Sequence, residues 1–266
     1  MRIPFNFKFV FLSIGIVLLL ASCKQVHKAP AGNVLILFDD YNVENWLKYQ
    51  DSLEKYGITA TFYVSHFHRM DERSLLGLET LRAQGHEIGY HTLNHPQDVK
   101  SYNPHQVQVY LHREIDSGLQ LMKASHFEPQ CFAFACDAHT PTLFDSLHTR
   151  FLSVCSGSFG FFEYWKRRHE YTLLADQPDN FRCYDVGLNS RFASDDNMLM
   201  MADDVAHGKN IALLLHSFDD STSTYTTPSS EFFKMIRMFH RQGARFKTVG
   251  DFFYPDQERL YTAKKD

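Results

Sequence analysis

Three short stretches of this chain hold side chains that can do chemistry together. Asp39 and Asp40 close the apolar run VLILF, His91 and His95 lie in HTLNH directly after GHEIGY, and His216 follows IALLL. Two imidazoles and one carboxylate form a three-ligand protein set, and a catalytic zinc site keeps its fourth position open for water or substrate. Adjacent residues of an extended strand point to opposite sides, so one aspartate of the pair can bind an ion while its neighbour acts as a base. In a helical turn, residues four apart share a face, which would let His91 and His95 converge on the same ion. Each feature has a plainer explanation. Acidic pairs recur at 195–196, 203–204 and 219–220, and fifteen histidines in 266 residues give about one such spacing by chance. His91 and His95 would then be surface histidines on a turn, His216 a core histidine bonded to backbone, and the aspartates a solvated loop carboxylate and a helix cap. Against this stands the setting of the pair: two like charges at the mouth of an apolar strand repel unless a cation or hydrogen bonds hold them ionised.

The elements that would position these residues alternate along the chain. Apolar strands are expected at 33–38, 58–64, 86–90, 131–135, 150–155, 181–187 and 210–215, with a weaker one at 244–249. Helix patterns occupy 43–56, 71–84, 104–123, 141–149, 195–207 and 229–242, four of them followed at once by Gly57, Gly85, Gly208 or Gly243. A glycine just past a helix takes the left-handed conformation that other residues resist. Asn103-Pro104 and Thr140-Pro141 read as a cap followed by a first turn. Such alternation predicts one α/β domain with a mainly parallel sheet, closed or nearly closed into a barrel, with an open doubly wound sheet as the competitor. No Gly-rich phosphate loop follows any strand, which weakens the nucleotide-binding form of that competitor. In barrels of this kind the strands' carboxyl ends build the active site, and all the residues singled out above follow strands directly.

Bulk properties narrow the partners. A hydrophobic content of 44%, a charged content of 22% and a formal charge of −4 describe a folded chain without the basic face that nucleic acid requires. Arg2 and Lys8 precede the apolar run VFLSIGIVLLL, which closes on LASC at 20–23, a pattern expected of an export signal. Leu20, Ala21 and Ser22 before Cys23 resemble the lipobox of bacterial lipoproteins, in which that cysteine is lipidated; a plain cleaved signal and an uncleaved anchor are the alternatives. Residues 1–23 are thus expected to be a lipoprotein signal peptide and 24–32 a linker. The mature chain would be held to a membrane through Cys23, in the bacterial cell envelope, facing the periplasm or the exterior. The remaining cysteines, Cys131, Cys136, Cys155 and Cys183, allow three disulfide pairings or free buried thiols, and no CxxC pair suggests structural zinc.

Taken together, the motifs resemble those of the polysaccharide deacetylases of carbohydrate esterase family 4. FDDY at 38–41 resembles the family's first motif, TFDDG; GHEIGYHTLNHP at 85–96 is very similar to its second, H-[ST]-x-x-H with a GHEIG lead-in; and LLLHSF at 213–218 resembles the last, a leucine (Leu214) two residues before a histidine. The tail at 232–253 resembles the closing helix, strand and helix. The resemblance implies a deacetylase-like domain over 33–254, folded as a distorted (β/α) barrel of about seven parallel strands of the NodB-homology type, with 255–266 as a C-terminal tail. It implies that Asp40, His91 and His95 hold one divalent metal, zinc first, with cobalt or nickel suited to the same ligands. Asp39 would be the general base, His216 the general acid, and the substrate an acetylated polysaccharide, as an N-acetyl amide ahead of an O-acetyl ester.

Two motifs depart from the family. Its third usually reads Tyr/Phe-Pro-Tyr/Phe-Gly, sometimes with an arginine that orients the base, and its backbone N–H helps to bind the oxyanion. Here FAFACDAHT puts Phe132 at the arginine position, Ala135 at the proline, Cys136 at the aromatic and Asp137 at the glycine. Cys136, Asp137 and Leu214 are the candidate oxyanion or substrate contacts, with His139 as a possible compensating partner or a companion of the cap at Thr140. The aspartate that buttresses the acid histidine is not evident; Asp185 and Arg191 are candidates. Tyr41 replaces the glycine of the first motif, and FGFFEYWKRRHEY at 159–171 could stack on sugar or pack against the barrel. The alternative function is a non-catalytic glycan-binding lipoprotein that retains the fold and the metal site.

Overall fold

A strand whose residues are all apolar needs cover on both faces, and the fold supplies it by closing the sheet on itself. The computed structural model describes residues 30–160, 164, 168, 172–186, 195–218 and 225–256. Seven parallel strands form the barrel: β1 (Asn33–Asp40), β2 (Thr61–Val64), β3 (Glu87–Tyr90), β4 (Cys131–Ala133), β5 (Ser153–Gly160), β6 (Phe181–Asp185) and β7 (Ile211–Leu215). They pair in chain order, and β7 closes against β1 with Leu37 opposite Leu214. Outside it run α1 (Val43–Lys48), α2 (Gln50–Lys55), α3 (Glu72–Ala83), α4 (Pro104–Tyr110), α5 (Ser117–Ala124), α6 (Pro141–Leu147), α7 (Asp195–Ala206), α8 (Ser229–Arg241) and α9 (Val249–Phe253). The short strands β8 (Ser217–Phe218) and β9 (Thr226–Thr227) pair with each other beyond β7, and β10 (Arg245–Lys247) pairs with the first residues of β1. The expected barrel is therefore formed, and the open sheet is not.

The helix expected at 43–56 is broken at Tyr49, which ends α1 and begins α2. That expected at 104–123 is one helical rod whose middle, Leu111–Asp116, widens into a π-helical turn. Predicted caps are in place: the Asn103 side chain accepts from Gln106 N–H and Thr140 Oγ1 accepts from Leu143 N–H. The expected strand at 150–155 starts three residues later and runs on to Gly160.

Period-two alternation divides the barrel wall into two cores. Even residues of β1 face the helices: Phe38 stacks on Phe62 at 4.9 Å and tilts against Trp46 of α1. The apolar stripe of α8, Phe232, Met235, Ile236 and Phe239, completes this layer, each side chain contributing about 1.5–3 kcal/mol by its burial. Odd residues fill the interior, where Leu35, Leu37, Tyr63, Cys131, Ala133, Cys155, Phe181, Cys183, Ala212 and Leu214 pack as a second cluster. Gly89 is required here, because a Cβ would lie 2.6 Å from the Tyr63 ring and 2.7 Å from Cys131 Sγ. At the barrel's amino end buried Glu87 accepts from Thr61 Oγ1 and Gly250 N–H, while Thr61 Oγ1 accepts from Val249 N–H. This network pins α9 across the barrel floor. All four described cysteines are free thiols; burial pushes the Cys131 thiol upward, and the hydrogen bond with Cys155, then burial, push up that of Cys183, which makes both inert.

His86 belongs to this scaffold rather than to the site. Its Nδ1 accepts from Ala60 N–H at 3.0 Å, and burial lowers its pKa from 6.5 to about 4. The folded chain therefore resists a proton that the unfolded chain takes up, so this contribution to stability is complete above pH about 6.5 and is lost as pH falls toward 4. Replacing His86 with Asn, whose Oδ1 can accept the same N–H, should remove about 1.4 kcal/mol per pH unit from the slope of stability in that window. Urea midpoints at pH 7, 6 and 5 for both proteins check it; parallel slopes would contradict the assignment.

Candidate active site

Register carries the chemistry to the barrel's carboxyl end. Leu37 and Leu214 are opposite one another, so Asp39 and His216, each two residues further on, share the inner face at the mouth. Ala133 O lies beside them, accepting from His91 Nδ1 at 2.9 Å. Asp40 would point outward on a regular strand, but its φ of +84° turns the chain so that its carboxylate comes back over the mouth. His91 and His95 do not share a helical turn, contrary to the expectation from their spacing. Thr92 at φ +71° and His95 at φ +55° fold the segment back on itself, and Thr92 Oγ1 accepts from His95 N–H at 3.1 Å. The result is the same convergence: one ligand atom each from Asp40, His91 and His95, all within 4.8 Å of one another.

Protonation states suit a cation. The Ala133 carbonyl can only accept, so His91 carries its proton on Nδ1 and presents the Nε2 lone pair to the mouth. Burial, then the neighbouring His95, lowers the His91 pKa and keeps the ring neutral. Nε2 then faces Asp39 Oδ2 at 3.5 Å, and His95 Nε2 faces Asp40 Oδ1 at 3.4 Å. Lone pairs opposed at such distances repel unless a proton or a metal ion lies between them. Asp39 Oδ1 is buried with no hydrogen-bond partner among the described residues. Burial raises the Asp39 pKa well above the carboxylate range, and Cys155, Asp40, Asp137 and Asp185 add to the push; of these the three carboxylates are the physically charged neighbours. Two imidazoles, a carboxylate and a buried acid without a cationic partner fit a divalent ion of the zinc type.

A support for this centre escaped the sequence reading. Tyr90, directly before His91, donates its hydroxyl proton to the Glu114 carbonyl in the π-helical turn. The Glu114 carboxylate accepts from Asn94 N–H at 2.7 Å and from Asn94 Nδ2 at 2.9 Å. The widened turn thus grips both ends of the His91–His95 fold. Only the asparagine within HTLNH hinted at it; nothing in residues 104–123 marks a π-turn. Trp46 acts similarly across the mouth, donating from Nε1 to the His216 carbonyl at 2.7 Å.

The divergent third segment also reaches the mouth. Cys136 at φ +53° and Asp137 at φ +52° are both left-handed. Cys136 is exposed with Sγ 3.9 Å from His95 Nδ1, and Asp137 Oδ2 accepts from Ser158 Oγ at 2.7 Å. Asp137 N–H is directed to the Phe134 carbonyl at 3.4 Å, so the candidate oxyanion donor is Cys136 N–H. Phe132 faces the helices, packing on Tyr90 and Phe151, so its position cannot deliver a side chain to the base. His139 lies against Phe134 and Phe144, away from the ligands. Leu214 is a buried wall of the inner cluster. Asp185, paired with Leu214, is buried on the inner face below His216, while Arg191 and Cys23 lie outside the described residues. Of the 159–171 segment, Tyr164 is buried with its hydroxyl donating to Asp204 Oδ2 at 2.7 Å, and Arg168 pairs with Asp204 at 3.1 Å, as packing against the barrel requires.

The family model for Polysaccharide deacetylase matches residues 27–134, the stretch that carries the first two motifs. No curated protein matches the chain. Among solved structures, the chitin deacetylase of Colletotrichum lindemuthianum superposes with a TM-score of 0.56 at 17% identity, over 88% of this chain and 92% of that one. The peptidoglycan deacetylase PdaC of Bacillus subtilis gives 0.52 at 19% identity, over 84% and 90%. A mutant of a carbohydrate esterase family 4 pseudoenzyme with restored enzymatic activity gives 0.50 at 15%, over 85% and 69%. These likenesses establish the NodB-type (β/α) barrel.

If Glu114 holds the His91–His95 fold in place, Glu114→Ala should weaken zinc binding about tenfold while leaving the three ligands intact. Competition with a chromogenic chelator measures it; affinity equal to that of the unsubstituted protein would show that the fold holds itself.

Proposed function

We propose that this chain is a metal-dependent hydrolase that removes acetyl groups, N-acetyl ahead of O-acetyl, from a cell-envelope or extracellular polysaccharide. The observation that carries the reading is the convergence of Asp40, His91 and His95 within 4.8 Å next to Asp39 and His216, two proton-handling groups that metal binding alone does not need. Zinc is the ion the donor set favours. Bound there, it would polarise the acetyl carbonyl and acidify water. Asp39, on the inner face with one oxygen uncommitted, takes the proton as water attacks the carbonyl carbon; its raised proton affinity makes it a capable acceptor. His216 hands a proton to the leaving nitrogen from the adjacent strand end, and its buried Nδ1 has no partner among the described residues. Cys136 N–H would stabilise the developing oxyanion, and Leu214 would border the acetyl pocket. The anchor at Cys23 would place this chemistry at the envelope, outside the cytoplasm.

One observation favours a second reading. Asp137 sets a carboxylate beside Asp39, where the family's third motif has glycine, and this disfavours negative charge developing nearby. A glycan-binding lipoprotein that keeps the metal but not the reaction would tolerate it.

Zinc-loaded protein should release acetate from at least one of chito-oligosaccharides, peptidoglycan or acetylxylan, and chelation should abolish release. Asp39→Asn and His216→Ala should each lower kcat by about 10²–10⁴ without loss of bound zinc for Asp39→Asn. Metal bound with no acetate from any of the three substrates would favour the binder, and release untouched by Asp39→Asn would remove the base from Asp39.

A further inference from the structure

Aromatic side chains are rarely left in water, and in this chain two of them stand at the mouth. Tyr41 is 49% exposed and Tyr225 59% exposed. Among the described residues the other exposed large apolar ones are a valine and four leucines, four of them on the helices α3, α4, α5 and α7. Tyr41 directly follows Asp40, and its ring lies on the His66 ring at 4.9 Å and 21°. One face is thereby covered and the other is open. His66 is itself held in a left-handed conformation at φ +52° and stands 6.2 Å from His95. Tyr225 meets the His216 ring edge-on at 5.5 Å. Each ring is thus braced by a histidine at the mouth: His66 follows β2 and His216 follows β7, the two strands that flank β1, at whose end Tyr41 stands.

An exposed aromatic ring held in place by a neighbouring ring, stacked for Tyr41 and edge-to-face for Tyr225, suits a flat ligand with an apolar face and polar edges. A pyranose ring has this form: its axial C–H groups stack while its hydroxyls stay in water. The two sites are separate and small, unlike the continuous apolar patch a protein partner would need. Resting on the deacetylase reading above, we infer that Tyr41 and Tyr225 are stacking platforms for sugar rings of the glycan, so that the site selects oligosaccharides over an isolated acetylated unit. Tyr41, where the family has glycine, is then a gain of contact as well as a narrowing of the mouth.

The test separates binding from turnover. In zinc-loaded Asp39→Asn protein, binding of tetramers of N-acetylglucosamine and of acetylated xylose is measured by calorimetry. Tyr41→Ala and Tyr225→Ala should each weaken the better tetramer about tenfold, and Tyr→Phe at each position should retain the affinity, since the ring and not the hydroxyl is used. In active protein, the ratio of kcat/KM for that tetramer to kcat/KM for 4-nitrophenyl acetate should fall about tenfold in both alanine variants. Tetramer affinity unmoved by both alanine variants, failure of phenylalanine to retain it, or no binding of either tetramer by the parent protein would each overturn the inference. Weakened binding in a protein that never releases acetate would support the platforms while overturning the deacetylase reading.

Discussion

The mouth of this barrel concentrates negative charge in a place where water cannot screen it. Asp39 is nearly inaccessible, and Asp40, Asp137 and Asp185 all act on it in the same direction. At such separations and with little solvent, like charges cost several kcal/mol unless they are neutralised. Protonation offers one solution and a divalent cation the other. His91 bears on the choice, because its Nδ1 proton goes to the Ala133 carbonyl and it therefore turns a bare Nε2 toward Asp39 Oδ2 at 3.5 Å. Two acceptors opposed in this way are poorly served by the protein alone. The divalent ion proposed above, held by Asp40, His91 and His95, would close the charge balance.

That requirement accounts for where the backbone is strained. Among the described residues, the left-handed ones outside glycine are Asp40, His66, Thr92, His95, His126, Cys136 and Asp137, and all but His126 lie at or just after the carboxyl ends of β1 to β4. Each such residue costs of order 1 kcal/mol or more and persists only where its surroundings fix it. Here the fixing groups are identifiable: Thr92 Oγ1 for His95, Ser158 for Asp137, and Glu114 with Asn94 for the loop between the imidazoles. The π-turn of Leu111–Asp116 is part of the same arrangement. Its carbonyl at Glu114 accepts from the Tyr90 hydroxyl, so the irregular turn of the outer layer also holds the inner one.

Much of this was legible in the sequence because two periods carry it. Alternation in VLILFDD places Leu35, Leu37 and Asp39 on one face, so the strand and the inward aspartate follow from the same rule. Glycine and asparagine at helix ends fixed the order of elements, and the order fixed the barrel. The failures have a common physical source: they concern backbone conformations with no side-chain signature. Nothing in HTLNH announces two left-handed residues, so the spacing suggested a helical turn where the chain makes a tighter fold. Tyr49 interrupts a helix whose apolar pattern continues through it, and the π-turn lies in a segment with an ordinary amphipathic pattern. The even count of cysteines left disulfides open, whereas Cys131, Cys155 and Cys183 serve as small apolar fillers beneath the site, with Cys155 Sγ and Cys183 Sγ 3.7 Å apart as thiols.

Asp137 is the residue on which the two functional readings divide, and its surroundings weigh on the choice. A carboxylate in the position of a glycine would block an acyl pocket if its side chain entered the mouth. Instead, Ser158 Oγ donates to it from β5. The backbone amide of Asp137 is committed to Phe134, which leaves the neighbouring amide of Cys136 as the donor for developing charge. Among the described residues Asp39 is uncommitted at one oxygen and His216 at Nδ1, and idle buried polar atoms cost stability, so a binder gains nothing from them. Both groups, with the Asp137 carboxylate held to the wall by a serine, are what the proposed hydrolase needs and what the binder does not.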